Sequence, residues 1–140
     1  ILENFTTSNS DLPSNSVYAV YCDPNSNVVY FGLASGLISY NSMSAPAADD
    51  FSDVYAYPNP VKPDFTGWIT IKGLKDNSLV KIADAAGNVF FQGRSEGGMM
   101  VWDGCNAAGE RVKSGVYYVF ASQSDGDDKS GAVTKIMVIN

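Results

Sequence analysis

The stretch Ser114-Gly115-Val116-Tyr117-Tyr118-Val119-Phe120 decides the fold that this sequence predicts. From Val116 to Phe120 every residue is apolar or aromatic, so both faces of a strand here are apolar, which favours a central position in the sheet. Upstream, Trp102-Asp103-Gly104 joins a large core side chain to two residues that favour a tight turn. Downstream, apolar residues between 132 and 139 supply a last strand. The sequence therefore predicts that this stretch lies at the centre of a β-rich domain.

Short apolar runs separated by turn residues continue this pattern back to residue 54. Ile69 and Ile71 alternate with polar neighbours, and so do Val80 and Ile82, which predicts strands with one buried face. The predicted strands cover residues 68–72, 79–84, 89–92, 99–102, 115–122 and 132–139. Turn signals at intervals of about 8 to 12 residues are typical of an antiparallel sandwich. No segment has the pattern of a helix longer than one turn, so we predict an all-β fold, an Ig-like antiparallel β-sandwich.

A smaller β unit precedes the sandwich. Apolar runs over residues 17–22, 28–32 and 37–40 predict a three-stranded meander, with the spacing of most of a β-propeller blade. Residues 45–53 are small and acidic and lack apolar periodicity, which predicts a linker. The predicted domains are a partial propeller blade over residues 1–44, a linker over 45–53 and a sandwich over 54–140.

Composition limits the classes of function. Of 140 residues, 45% are hydrophobic and 17% are charged, a balance typical of turn-rich β proteins outside cells. Fifteen acidic and nine scattered basic residues give a net charge of −6, which leaves no basic stripe for a nucleic-acid backbone. No apolar run is long enough to cross a bilayer, and Ile1-Leu2-Glu3-Asn4 does not begin like a signal peptide. We expect either a cytosolic protein or a piece of a larger exported chain.

The sequence offers little for catalysis or metal binding. It contains no histidine, which excludes Ser-His-Asp, Cys-His and histidine-ligated metal sites within this chain. Cys105 lies beside Asp103 rather than a cation, and two free thiols are favoured over a bridge to Cys22. The acidic run over residues 125–128 is expected to form a solvated hairpin tip, because Lys129 interrupts the pattern of a calcium loop. We expect no enzymatic activity, no cofactor and no bound metal.

The tryptophans and a few cations are the candidates for ligand contact. Trp102 is expected to fill the core, whereas Trp68 follows a glycine at a strand start and is the better candidate for an exposed sugar platform. The cations that could gather at one end of the sandwich to receive an anionic glycan or a carboxylate are Arg94, Arg111, Lys113 and Lys135. Separate solvated roles are favoured for each of them.

The first part of the chain resembles the repeat of two-component-regulator propellers. The residues that carry this resemblance are Leu12-Pro13-Ser14-Asn15-Ser16-Val17, the turn over 23–27, Val29-Tyr30-Phe31-Gly32 and Gly36-Leu37-Ile38-Ser39-Tyr40. Tyr30 stands where that repeat commonly has tryptophan. The resemblance implies that the meander is the last blade of a propeller.

The second part resembles the C-terminal sorting domain of type IX (Por) secretion, and it is similar also to the Ig-like domain of the flagellar hook-capping protein. The residues that carry this resemblance are Tyr57-Pro58-Asn59-Pro60, Val80-Lys81-Ile82-Ala83-Asp84, Gly87, Trp102-Asp103-Gly104, Gly109, Ser114-Gly115-Val116-Tyr117 and Lys135-Ile136. The positions to which it assigns a structural or docking role are Pro58, Asn59, Pro60, Trp102, Asp103, Gly104, Gly115, Tyr117 and Lys135.

The order of the two parts most resembles the C-terminal end of PorZ-like proteins, the propeller proteins of that secretion system. The resemblance implies a protein at the cell surface or outer membrane of a Gram-negative bacterium. Its terminal domain would be non-enzymatic and would serve transport, attachment or docking. The implied partners are proteins of the secretion or attachment machinery, with a glycan or lipopolysaccharide as a further candidate ligand.

Other functions remain open at this point. The alternative is a carbohydrate-binding or adhesive sandwich, and the third is a periplasmic sensor fragment of a hybrid two-component regulator, which shares the propeller repeat. If the meander over residues 12–40 does not pack against another element, both faces of its sheet are exposed to solvent. It is therefore expected either to pack against the sandwich or to pair with another copy of the chain.

Overall fold

The protein is all-β, and its chain divides into two compact units. The structure, a computed structural model, describes residues 4–24, 26–42, 44–125 and 128–140. Within these residues the secondary structure consists of antiparallel strands without a helix. The first unit comprises Ile1–Ser42 and the second comprises Met43–Asn140. The predicted fold class, a β-sandwich preceded by a three-stranded meander, is confirmed.

The first unit is an antiparallel meander. Its strands are β1 (Val17–Cys22), β2 (Val28–Leu33) and β3 (Gly36–Asn41), which are hydrogen-bonded in that order. Upstream of β1, the ring of Phe5 packs against those of Tyr40 and Phe31, with centroid separations of 4.6 and 6.4 Å. All six residues of β1 are nevertheless exposed. The sheet is therefore well paired by its backbone but thinly covered by side chains.

The second unit is a sandwich of two antiparallel sheets. Its strands are β4 (Tyr55–Tyr57), β5 (Ile69–Lys72), β6 (Leu79–Ala83), β7 (Val89–Arg94), β8 (Met99–Trp102), β9 (Gly115–Asp125) and β10 (Asp128–Val138). One sheet has the order β4-β5-β8, and the other has the order β10-β9-β6-β7. The hairpin of β9 and β10 is longer at its tip than the sequence predicted. Gly126 and Asp127 of the predicted tip lie outside the described residues.

The core of the second unit lies between the two sheets. Ile69 and Ile71 of β5, with Val80 and Ile82 of β6, are fully buried, as their alternation predicted. Trp102 at the end of β8 is fully buried as well. Because burying an aliphatic side chain contributes about 1.5 to 3 kcal/mol, this layer is the main source of stability.

Strand β9 is central in its sheet, but only one of its faces is covered. It lies between β10 and β6, and Tyr117 and Val119 point into the core. On the other side, 39% of Val116 and 44% of Phe120 remain exposed. The central position that the sequence predicted is confirmed, whereas the open face was not predicted.

Residues 45–53 are attached to the second unit, although the sequence predicted an extended linker. Ala45 forms a parallel bridge with Gly97, and the Ala48 N–H donates to the Leu74 carbonyl at 2.9 Å. Phe51 belongs to the hydrophobic core. A side chain at Gly97, where φ is +59°, would overlap the Ala45 carbonyl. Close backbone approach and one aromatic anchor therefore hold a segment whose composition is that of a loop.

Candidate docking site

Two of the predicted motif positions, Trp102 and Tyr117, form a packed corner at one end of the sandwich. The Tyr117 hydroxyl donates to the Lys113 carbonyl at 2.8 Å, a geometry known as a tyrosine corner in immunoglobulin-like sandwiches. The Trp102 ring lies 5.8 Å from the Tyr117 ring, and its Nε1–H donates to the Cys105 carbonyl at 2.8 Å. Burial, followed by the charge of Asp84, raises the pKa of Tyr117. These residues stabilise the corner and have no surface free for a ligand.

Asp103 and Gly104 shape the turn that leaves β8. The Cys105 N–H donates to the Asp103 carboxylate at 2.9 Å, and Gly104 has a φ of +74°. The Asx turn and the positive φ that the sequence predicted are both present. Burial, followed by the charge of Asp103, raises the pKa of the Cys105 thiol.

The segment Pro58-Asn59-Pro60 closes part of the free edge of β10. The Asn59 Nδ2 donates to the Lys135 carbonyl at 2.8 Å, and the Met137 N–H donates to Asn59 Oδ1 at 3.0 Å. The adjacent Val61 exchanges backbone hydrogen bonds with Met137 and Ile139. An edge strand offers unpaired groups to other chains, so this segment protects the last residues of β10.

The motif positions therefore fall into two groups in the described structure. The corner group contains Trp102, Asp103, Gly104, Gly115 and Tyr117, and the edge group contains Pro58, Asn59, Pro60 and Lys135. Most of them serve packing and turns. Lys135 differs, because its side chain is exposed on β10 and its Nζ lies 5.8 Å from the Tyr118 ring.

Lys135 belongs to an open sheet surface, which we call the outer face. It is the solvent side of the four-stranded sheet, formed by Lys81, Val116, Tyr118, Phe120, Val133, Lys135 and Met137. Lys81 pairs with Phe120, which pairs with Val133. Val133 and Met137 are 58% and 48% exposed. This surface was not predicted, because alternating apolar residues on a strand give the same sequence pattern whether a second sheet or another molecule covers them.

The predicted cluster of cations is not formed. Arg94 pairs with Leu79 at one end of β6 and donates to the Asn77 carbonyl at 2.8 Å. Arg111 lies in the loop beyond the other end of β6 and donates to the Phe65 carbonyl at 3.1 Å. Arg94 and Arg111 thus help to hold separate loops, in line with the separate roles that the sequence favoured.

A cleft of about 650 Å³ opens beside the corner, between the loop after β6 and the loop before β9. Hydrogen bonds from the Asn88 side chain and then from its backbone lower the pKa of Asp84 on one wall. Glu110 accepts from Asn106 at 3.1 Å on the other. These carboxylates hold their own turns. No group of three or more potential metal ligands is present among the described residues.

Three further exposed aromatic residues of the second unit are Trp68, Tyr55 and Tyr57. Trp68 is 53% exposed and Trp102 is fully buried, so the relative exposure of the two tryptophans agrees with the prediction. Tyr55 and Tyr57 on β4 stack with centroids 6.0 Å apart.

The part of the chain that the structure describes contains no helix that could span a bilayer.

Comparisons with known proteins find similarity to a component of a secretion system. No family model matches the chain, and no curated protein matches it. A structure of PorZ, an essential bacterial surface component of the type-IX secretion system of Porphyromonas gingivalis, matches 99% of this chain with 33% identity and a TM-score of 0.65. A structure of dimeric latent PorU from the same organism matches 80% of this chain with 18% identity and a TM-score of 0.48, and the match covers 12% of PorU. The chain spans 18% of the PorZ chain, and it is similar in sequence and fold to that part of PorZ.

Proposed function

We propose that this chain is a non-enzymatic module that attaches or docks a propeller protein of a type IX secretion apparatus at the surface of a Gram-negative bacterium. The observation that carries the proposal is the similarity to PorZ, which extends over 99% of the chain at 33% identity. In this proposal the meander is the end of a propeller, and the sandwich is the sorting or docking body.

The chemistry of the chain supports a binding role rather than a catalytic one. It has no histidine, and the thiol of Cys105 has a raised pKa. The carboxylates beside the 650 Å³ cleft are engaged in turns. The outer face carries neighbouring exposed apolar side chains, a property expected of a surface that contacts other molecules.

Deletion of the second unit from the full-length protein tests this function. Residues 43–140 would be removed in a host that secretes by the type IX route, and surface display would be measured by whole-cell antibody binding and protease accessibility. We expect the remaining propeller to fold, as judged by resistance to limited proteolysis in lysates, but to be lost from the surface. Normal display of the truncated protein would refute the proposal.

Carbohydrate binding is a second candidate function, which the exposure of Trp68 favours. Aromatic rings at the surface can stack on sugars, and Tyr55 and Tyr57 offer a second platform. A glycan array that includes lipopolysaccharide tests it, with Trp68→Ala as the variant and Val89→Ala as an exposed apolar control. Loss of a signal in the tryptophan variant alone would establish this function, and a blank array would remove it.

A further inference from the structure

The outer face has a regular arrangement on three neighbouring strands. One row across the sheet joins Lys81, Phe120 and Val133, and the next joins Tyr118 to Lys135. A third row joins Val116 to Met137. With strands about 4.8 Å apart and same-side residues about 7 Å apart along each strand, these rows make one continuous patch.

The apolar content of this patch is unusual for a sheet surface in water. Phe120 pairs with Val133 and Val116 pairs with Met137, the four side chains are between 39% and 58% exposed, and Tyr118 and Lys135 form the row between the two pairs. Antiparallel sheets with one solvated face normally carry polar residues there. Contiguous exposed apolar side chains mark interaction surfaces.

The charges of the outer face have one sign. Strand alternation places Lys81 and Lys135 among the apolar pairs, and it places Arg94 of β7 on the same side of the sheet. It places no carboxylate there among the residues whose side chains the structure describes. The whole chain, in contrast, has fifteen acidic and nine basic residues. A complementary surface would carry carboxylates interspersed with apolar side chains, because opposite charges favour the correct partner and like charges exclude others.

We infer that the outer face binds a protein partner that presents aspartate or glutamate side chains interspersed with apolar residues. This inference rests on the proposed docking function and names the surface that performs it. A second copy of the chain fits less well, since pairing the outer face with itself brings lysine against lysine. A membrane fits less well too, because surface-bound proteins use clusters of about 4 to 8 basic residues.

The test is charge reversal on the outer face of the full-length protein, Lys81→Glu with Lys135→Glu, read out as surface display. The matched control is Lys62→Glu with Lys113→Glu, which changes net charge equally at exposed lysines outside the outer face. We expect at least a tenfold loss of display for the first pair and no change for the control. The thermal midpoint of each purified variant establishes that it is folded.

A milder variant keeps the test valid if the double reversal does not fold. Val133→Thr preserves side-chain shape and strand propensity but adds a hydroxyl group to the apolar pair of Phe120 and Val133. We expect about a threefold loss of surface display. Unchanged display in both folded variants would overturn the inference. If deletion of residues 43–140 abolishes display and these variants do not, the inference fails while the proposed function stands.

Two measurements on the purified 140-residue chain exclude the other occupants. Flotation with vesicles of phosphatidylglycerol and phosphatidylcholine, and sedimentation over a hundredfold dilution, are each compared between the wild type and the Lys81→Glu, Lys135→Glu variant. Vesicle binding or self-association that the variant loses would overturn the inference in favour of a membrane or a second copy. We expect neither.

Discussion

The two units of this chain have similar backbone pairing and very different burial. In the first unit, β2 pairs with β3 in regular register and with β1 with one register shift between Val17 and Ala19, yet all six residues of β1 are exposed. In the second unit, side chains from two sheets meet and bury residues such as Ile71, Val80 and Trp102 completely. Hydrogen bonds alone therefore do not make a stable unit, because their net contribution is small compared with that of a shared apolar layer.

The largest expected difference is in cooperative unfolding, when the two units are produced as separate fragments. Residues 43–140 should unfold cooperatively on their own, because their core is internal to them. Residues 1–42 should show no cooperative transition, because one sheet cannot bury both of its faces. Circular dichroism during urea titration of each fragment measures this. Cooperative unfolding of the shorter fragment, or its absence in the longer one, would contradict the comparison.

Removal of a core ring sharpens the contrast between buried and exposed aromatics. Trp102→Ala should lower the free energy of unfolding of the second unit by about 3 to 5 kcal/mol, since the indole is fully buried. Tyr21→Ala, at a ring that is 60% exposed, should leave the stability of the second unit within about 0.5 kcal/mol of wild type. Urea denaturation of the full chain measures both. Equal losses of unfolding free energy in Trp102→Ala and Tyr21→Ala would contradict the assignment of Trp102 to the core.

The attachment of residues 45–53 predicts a difference between two glycines with positive φ. Gly97→Ala should destabilise the second unit by roughly 2 to 3 kcal/mol, because the new methyl group would overlap the Ala45 carbonyl. Gly87→Ala, which has open space around it, should cost only about 1 kcal/mol for the strained backbone. Denaturation and limited proteolysis of residues 45–53 compare them. Equal stability and equal cleavage would mean that the segment is a free linker.

The smallest effect concerns the tyrosine corner. Tyr117→Phe removes the hydrogen bond to the Lys113 carbonyl and should cost about 0.5 to 1.5 kcal/mol. Burial raises the pKa of Tyr117 in the folded state, so its contribution to stability is complete below about pH 10 and is lost as the pH rises through the folded value. The variant should therefore lose less stability than wild type above pH 10. Parallel pH profiles of the two proteins would contradict this assignment.

Local patterns predicted much of the fold. The alternation of Ile69 and Ile71, the turn at Asp103-Gly104 and the burial of Trp102 all depend on neighbouring residues, and the structure contains each of them. The three strands of the meander also follow from short apolar runs. Such features are set by side-chain period and turn chemistry, which can be read without tertiary context.

Features that depend on distant contacts were not predicted. Phe51 is a single apolar residue in a polar, small-residue segment, and only its packing in the core shows that the segment is attached. The outer face was missed for a related reason, since the apolar run that contains Val116 and Phe120 does not show what covers each of its faces. The exposure of the proposed docking surface follows from the arrangement of the strands, which only the fold shows.

The most direct test of the docking account is transfer of the second unit to another protein. Residues 43–140 would be fused to the C-terminus of a folded periplasmic reporter in a type IX secreting host, and the fraction accessible to protease at the cell surface would be measured. The account predicts that the fusion reaches the surface and that the fusion with Lys81→Glu and Lys135→Glu does not. A folded wild-type fusion that stays in the periplasm would contradict it.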